Sequence, residues 1–142
     1  MKQIYPLLFA AVLTTGCSKD VFKRYDKRII GTWELVDVDN RGIGGDQDRL
    51  PFRGGTFTFS GNGDLTYIDP ETGTVFNGDW NLDRLDNNDD EVIRVLSIHA
   101  VDFNTQAFKS ELFEDVRFTG TNRFNAFIYS GLHVYVFRFR RK

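Results

Sequence analysis

Thr56-Phe57-Thr58-Phe59, Ser60-Gly61-Asn62-Gly63-Asp64 and Leu65-Thr66-Tyr67 form one continuous stretch, and it decides the fold. Phenylalanine alternates with threonine before the turn, and leucine and tyrosine flank a threonine after it. Alternation with period two puts successive side chains on opposite faces of a pleated strand. The glycine, asparagine and aspartate between the two runs supply the positive φ angles that a tight hairpin turn requires. The stretch is therefore a hairpin with Phe57, Phe59, Leu65 and Tyr67 on one face, and that face needs a core.

The same signal extends outward. Period-two runs rich in β-branched and aromatic residues predict eight strands, over residues 31–38, 54–60, 64–69, 75–83, 91–100, 107–118, 122–130 and 132–141. Asp69-Pro70-Glu71-Thr72-Gly73 is a proline-initiated turn closing on glycine, and residues 86–90 are a polar hairpin tip. Connections this short make neighbouring strands antiparallel. One connection is long: residues 39–53 carry Gly42, Gly44, Gly45 and Pro51 among charges, as expected of a loop at the rim of a binding site. Before the first strand, Val21, Phe22, Tyr25 and Ile29 recur at spacings of three and four, which predicts a short helical turn within residues 21–30.

A chain of 142 residues, 41% of them hydrophobic, suffices for one globular domain with a single core. Eight up-and-down strands bury one face by stacking into a sandwich or by closing into a barrel. Closure also removes exposed edges, so an all-β, eight-stranded antiparallel barrel is the expected fold. The interior of such a barrel is wide enough to be filled by side chains or to hold one small ligand. Fourteen phenylalanines could fill it. The net charge of −2 provides no basic field for a phosphate backbone, which argues against nucleic acid as a partner.

The first sixteen residues read as a targeting peptide: Lys2, the apolar run Ile4 to Leu13, then Thr14, Thr15 and Gly16 ahead of Cys17. The run is too short for a hydrocarbon core about 30 Å thick. Leu13-Thr14-Thr15-Gly16-Cys17 resembles the lipobox of bacterial lipoproteins, with Thr14 where that family most often has leucine. The resemblance implies cleavage after residue 16, acylation of Cys17, a tether over residues 17–30 and a barrel domain over 31–142. Ser18 at the second mature position implies the outer membrane, because the aspartate that retains such lipoproteins at the inner membrane is missing.

Gly31-Thr32-Trp33-Glu34-Leu35 and Gly78-Asp79-Trp80-Asn81-Leu82 resemble the Gly-x-Trp strands of lipocalins and of the shorter lipocalin-like domains of bacterial lipoproteins, a calycin type of barrel. In that family the first tryptophan closes the barrel floor, with a helical turn before it and a basic side chain of the last strand packed across the indole. Carried onto this chain, the resemblance implies a floor of Trp33 with Arg138 or Arg140. It also implies a lumen that holds a small hydrophobic ligand against Phe57, Phe59, Tyr67, Trp80, Tyr135 and Phe137. The C-terminal helix of classical lipocalins has no counterpart here.

The sequence points to no catalytic or metal chemistry. His99 and His133 have no metal-ligand spacing around them and read as packed or half-exposed imidazoles. The acidic run 86–91 lacks the spacing of a calcium loop, and neither a serine–histidine–aspartate grouping nor a phosphate-binding glycine loop stands out. No cofactor is expected. Two readings follow for a tethered, non-enzymatic protein of the cell envelope. One is a ligand-binding barrel, and the other is a filled barrel that presents its surface to another envelope protein.

Overall fold

The computed structural model describes residues 24–86 and 91–142. The targeting peptide, Cys17 and the tip at residues 87–90 lie outside the described residues. A short helix, α1 (Tyr25–Ile29), precedes nine strands: β1 (Gly31–Gly42), β2 (Gly55–Phe59), β3 (Asp64–Ile68), β4 (Val75–Asp86), β5 (Val92–Val101), β6 (Phe108–Phe113), β7 (Asp115–Phe118), β8 (Arg123–Ser130) and β9 (His133–Arg141). Every pairing is antiparallel, in the order β6-β5-β4-β3-β2-β1-β9-β8-β7. The first and last members of that order are consecutive in the chain, so the sheet curls into a nearly closed up-and-down barrel.

The ninth strand arises where the sequence predicts one strand over residues 107–118. That segment changes partners at Glu114: β6 pairs with β5, and β7 pairs with β8. Phe113 and Val116 both point inward, so two residues stand where alternation allows one. The carboxylate of Glu114 accepts the amide of Tyr129 at 2.6 Å, which covers an edge that the break would leave bare. β1 has a similar irregularity. Leu35 faces Phe139 and Asp37 faces Arg138, which leaves Val36 as a bulge and keeps both Leu35 and Val38 turned to the core.

The turns predicted over residues 60–64 and 69–73 form as read. In the first hairpin the Ser60 amide bonds the Asp64 carbonyl at 2.9 Å and Gly63 takes φ 93°. In the second, Asp69 Oδ1 caps the amides of Glu71 and Thr72. The long loop starts later than residue 39, because Asp39 to Gly42 continue β1 by pairing with Val136 to His133. What remains is residues 43–54, with a single 3-10 turn at Gln47–Arg49.

Candidate functional site

The side chains on the inward face make up the lumen. Register sets Trp33 opposite Phe57, Phe57 opposite Tyr67 and Tyr67 opposite Phe76, so one aromatic row runs across four strands. Phe57, Phe59, Tyr67 and Phe137 have 0–1% of their surface exposed, and Tyr135 has 6%. Their rings meet one another: Phe57 lies 4.7 Å from Tyr67 and 5.4 Å from Phe139, and Phe113 lies 4.9 Å from Phe137. Trp80 is half-buried, packs edge-on against Phe59 at 5.5 Å and donates its indole N–H to the Ser60 carbonyl at 3.0 Å. Five of the six residues expected to line a ligand are thus buried against other side chains, and the sixth, Trp80, is half-buried beside the β2–β3 turn. Along β5, Val95 faces outward, and Leu96 and Ile98 fill the interior.

Trp33 closes one end. It is fully buried, donates its indole N–H to the Ile29 carbonyl of α1 at 2.7 Å, and packs on Phe124 at 4.7 Å. The cation over its ring is Arg141, 4.2 Å from the centroid, and neither Arg138 nor Arg140 takes that place. Strand parity is the reason. Phe137, Phe139 and Arg141 share the inward face, whereas Arg138 and Arg140 point outward and pair with Asp37, Asp39 and Glu34. Arg141 also donates to the carbonyls of Arg28, Ile30 and Thr121, which ties α1 and the β7–β8 turn to the barrel end. A Cβ at Gly31 would stand 2.5 Å from the Arg141 guanidinium, so the glycine of the first Gly-x-Trp makes room for this cation. The glycine of the second, Gly78, lets the His99 carbonyl approach within 1.8 Å of where a Cβ would be.

The loop over residues 43–54 closes the other end, with Phe52 as a plug. Phe52 is fully buried and meets Tyr67 at 4.8 Å and Phe57 at 5.3 Å. Polar latches hold the loop down. Asp46 donates its amide to the Tyr135 hydroxyl at 2.6 Å, Gln47 bonds the Val38 carbonyl, and Lys109 reaches from β6 to the Pro51 carbonyl and to Asp69, both at 3.1 Å. Burial opposes ionisation of Asp69, but the Glu71 amide, the Lys109 ammonium and the Thr72 amide together hold its carboxyl below the ordinary value. Burial also pushes the Tyr67 phenol well up, and its hydroxyl bonds the Gly54 carbonyl. The recess beside these latches measures about 140 Å³ and is lined mainly by Pro51, Arg53, Asp69, Pro70, Glu71 and Lys109. A recess of about 440 Å³ lies on the outside of the wall between β5 and β7, with Ile93, Val95, Arg117 and Tyr129 around it.

One grouping invisible in the linear sequence appears on the outer wall. Cross-strand register puts Asp79, His99 and Ser110 in a single row, with His99 Nδ1 3.0 Å from Asp79 Oδ1. No hydrogen bond joins Ser110 to the imidazole, and His99 stacks on Phe108 instead, so the hydroxyl lacks the base contact that activates a nucleophile. Among the described residues, no group of three or more histidines, cysteines and carboxylates could hold a metal ion. Compared with protein-family models, with curated proteins and with solved structures, the chain matches none.

Proposed function

We propose that this chain is a lipid-anchored, non-enzymatic lipocalin-like module of the cell envelope, whose barrel is a solid scaffold that acts through its surface.

 The observation that carries this reading is the lumen: Phe57, Phe59, Tyr67, Tyr135 and Phe137 are buried against neighbouring rings, and Phe52 stops the mouth. A ligand entering there would have to displace side chains whose burial contributes about 1.5–3 kcal/mol each. The tether is supported by the lipobox-like segment ending at Cys17, and the outer membrane by Ser18 after it.

The surface offers what an interaction module needs. At the lidded end Ile43, Phe103 and Leu132 are 76%, 69% and 77% exposed, and the Ile43 amide bonds the Leu132 carbonyl at 3.1 Å. Apolar side chains this bare on a rim favour another envelope protein as the partner. Two measurements test the proposal. The mass of the protein recovered from membranes should carry acyl chains on Cys17, and Cys17→Ser should release the protein from them. Titration of the full chain with a fluorescent fatty acid should give no saturable, competable signal; a saturable one would replace the solid scaffold with a ligand carrier.

A further inference from the structure

The cations of the barrel fall into two populations. Arg41, Arg49, Arg53, Arg84, Lys109, Arg117, Arg138 and Arg140 each lie within 4.0 Å of a carboxylate, as does Arg24. Among the described residues, Lys27, Arg28, Arg94, Arg123, Arg141 and Lys142 have no such partner, and all of them sit at the end closed by Trp33. Arg28 and Arg141 are held by backbone carbonyls, and Arg94 lies over the Tyr25 ring. Lys27, Arg123 and Lys142 are exposed. Arg123 faces Arg140 directly across β8 and β9; Glu34 neutralises Arg140, and among the described residues no carboxylate pairs with Arg123.

Apart from Arg94, which reaches Tyr25 of α1 from β5, these cations lie on α1, beside the β7–β8 turn or at the end of β9. Of the carboxylates at this end, Asp26 on α1 and Glu34 on β1 are already paired, with Arg24 and Arg140, while Asp64, Asp79, Asp83 and Asp86 belong to β3 and β4, so cations outnumber carboxylates on the face of α1, the β7–β8 turn and β9. The chain enters the barrel on the cationic side, at α1. Six residues separate Cys17 from Arg24, and even fully extended the seven steps between them span no more than about 25 Å.

We infer that the face made by α1, the β7–β8 turn and the end of β9 docks on anionic phospholipid headgroups and holds the barrel with its Phe52 lid turned away from the membrane. The closeness of the membrane rests on the tether proposed above; the attraction to anionic lipid rests on the charge distribution alone. An acyl tether and a cationic face are the two signals that stable, oriented anchoring needs. The apolar rim around Ile43 and Leu132 is then presented outward, where a partner can reach it.

The test is partition of the full-length protein between buffer and vesicles of phosphatidylcholine, alone or mixed with phosphatidylglycerol. The apolar run Ile4–Leu13 enters either vesicle alike, so the ratio between the two lipid mixtures is the readout. At low salt the anionic vesicles should be preferred by about tenfold or more, and molar salt should abolish the preference. The double variant Lys27→Glu/Arg123→Glu should lose the preference with an unchanged unfolding midpoint. Arg41→Glu/Arg49→Glu, which changes the same charge at the lidded end, should keep it. Equal partition on both mixtures, or a preference that survives Lys27→Glu/Arg123→Glu, overturns the inference. An unacylated Cys17 with the preference intact removes the tether and leaves the docking face standing.

Discussion

At Trp33 every side of the indole is occupied: the N–H by the Ile29 carbonyl, the faces by Phe124 and the Arg141 guanidinium. Arg141 also serves three backbone carbonyls. Arg141→Ala removes a cation–π contact and leaves those carbonyls without their donor, so it should lower unfolding free energy by about 2–4 kcal/mol in urea titrations. Arg141→Lys should recover only part of that, because a point charge cannot address three carbonyls in a planar fork. Arg138→Ala and Arg140→Ala break outward ion pairs and should cost less than about 1 kcal/mol each. A larger loss at Arg140 than at Arg141 would contradict this ranking. The sequence makes the floor tryptophan and a basic partner on the last strand legible, but not which base. Choosing among Arg138, Arg140 and Arg141 needs the parity of β9, and Val134, Val136 and Phe137 place apolar groups on both of its faces.

The loop over residues 43–54 shows how an element without regular structure can be as fixed as a strand. Its single buried ring, Phe52, is inserted between Phe57 and Tyr67, and its polar latches reach β1, β6 and β9. Phe52→Ala should cost about 3–5 kcal/mol, the range for deleting a buried aromatic ring. If the loop keeps its latches, the void left is ring-sized and apolar, and benzene should raise the melting temperature of the variant but not of the wild type. A variant as stable as wild type would mean that the loop is not a plug. Glycines and charges identify residues 39–53 as a connection, yet nothing local marks Phe52 as core, since its partners come from β2 and β3. The strand count is masked for a related reason. Period two is legible from Phe108 to Phe118, but the extra residue at Glu114 matters only through the exchange of β5 for β8 as partner.

Across the whole barrel, the ionisable groups pull stability in two directions with pH. Glu34, held by its bond to Arg140, Asp39, held by Arg41 and Arg138, and Asp102, held by the Thr105 hydroxyl, all have carboxyls below their ordinary values, as does Asp69. A carboxylate whose folded pKa is depressed contributes stability above its unfolded pKa and loses it as pH falls through the folded value. The unfolding midpoint should therefore hold near neutrality and decline below about pH 4, the ordinary carboxylate range. Glu111 works the other way. It shares the inward face of β6 with Lys109 and Phe113, and burial, reinforced by the charge of Glu114 and opposed by the Leu112 amide, pushes its carboxyl up. For a raised carboxyl the favourable contribution is complete below the unfolded pKa and is lost as pH rises through the folded one, so at neutral pH the charge of Glu111 works against the barrel. Glu111→Gln keeps an oxygen for the Leu112 amide and removes that charge. Its urea midpoint should exceed that of the wild type at pH 7, and the two should converge once the medium is acid enough to protonate an ordinary glutamate, below about pH 4. Identical midpoints at pH 7, or a gap that persists in acid, would show that Glu111 is solvated rather than turned toward the aromatic interior.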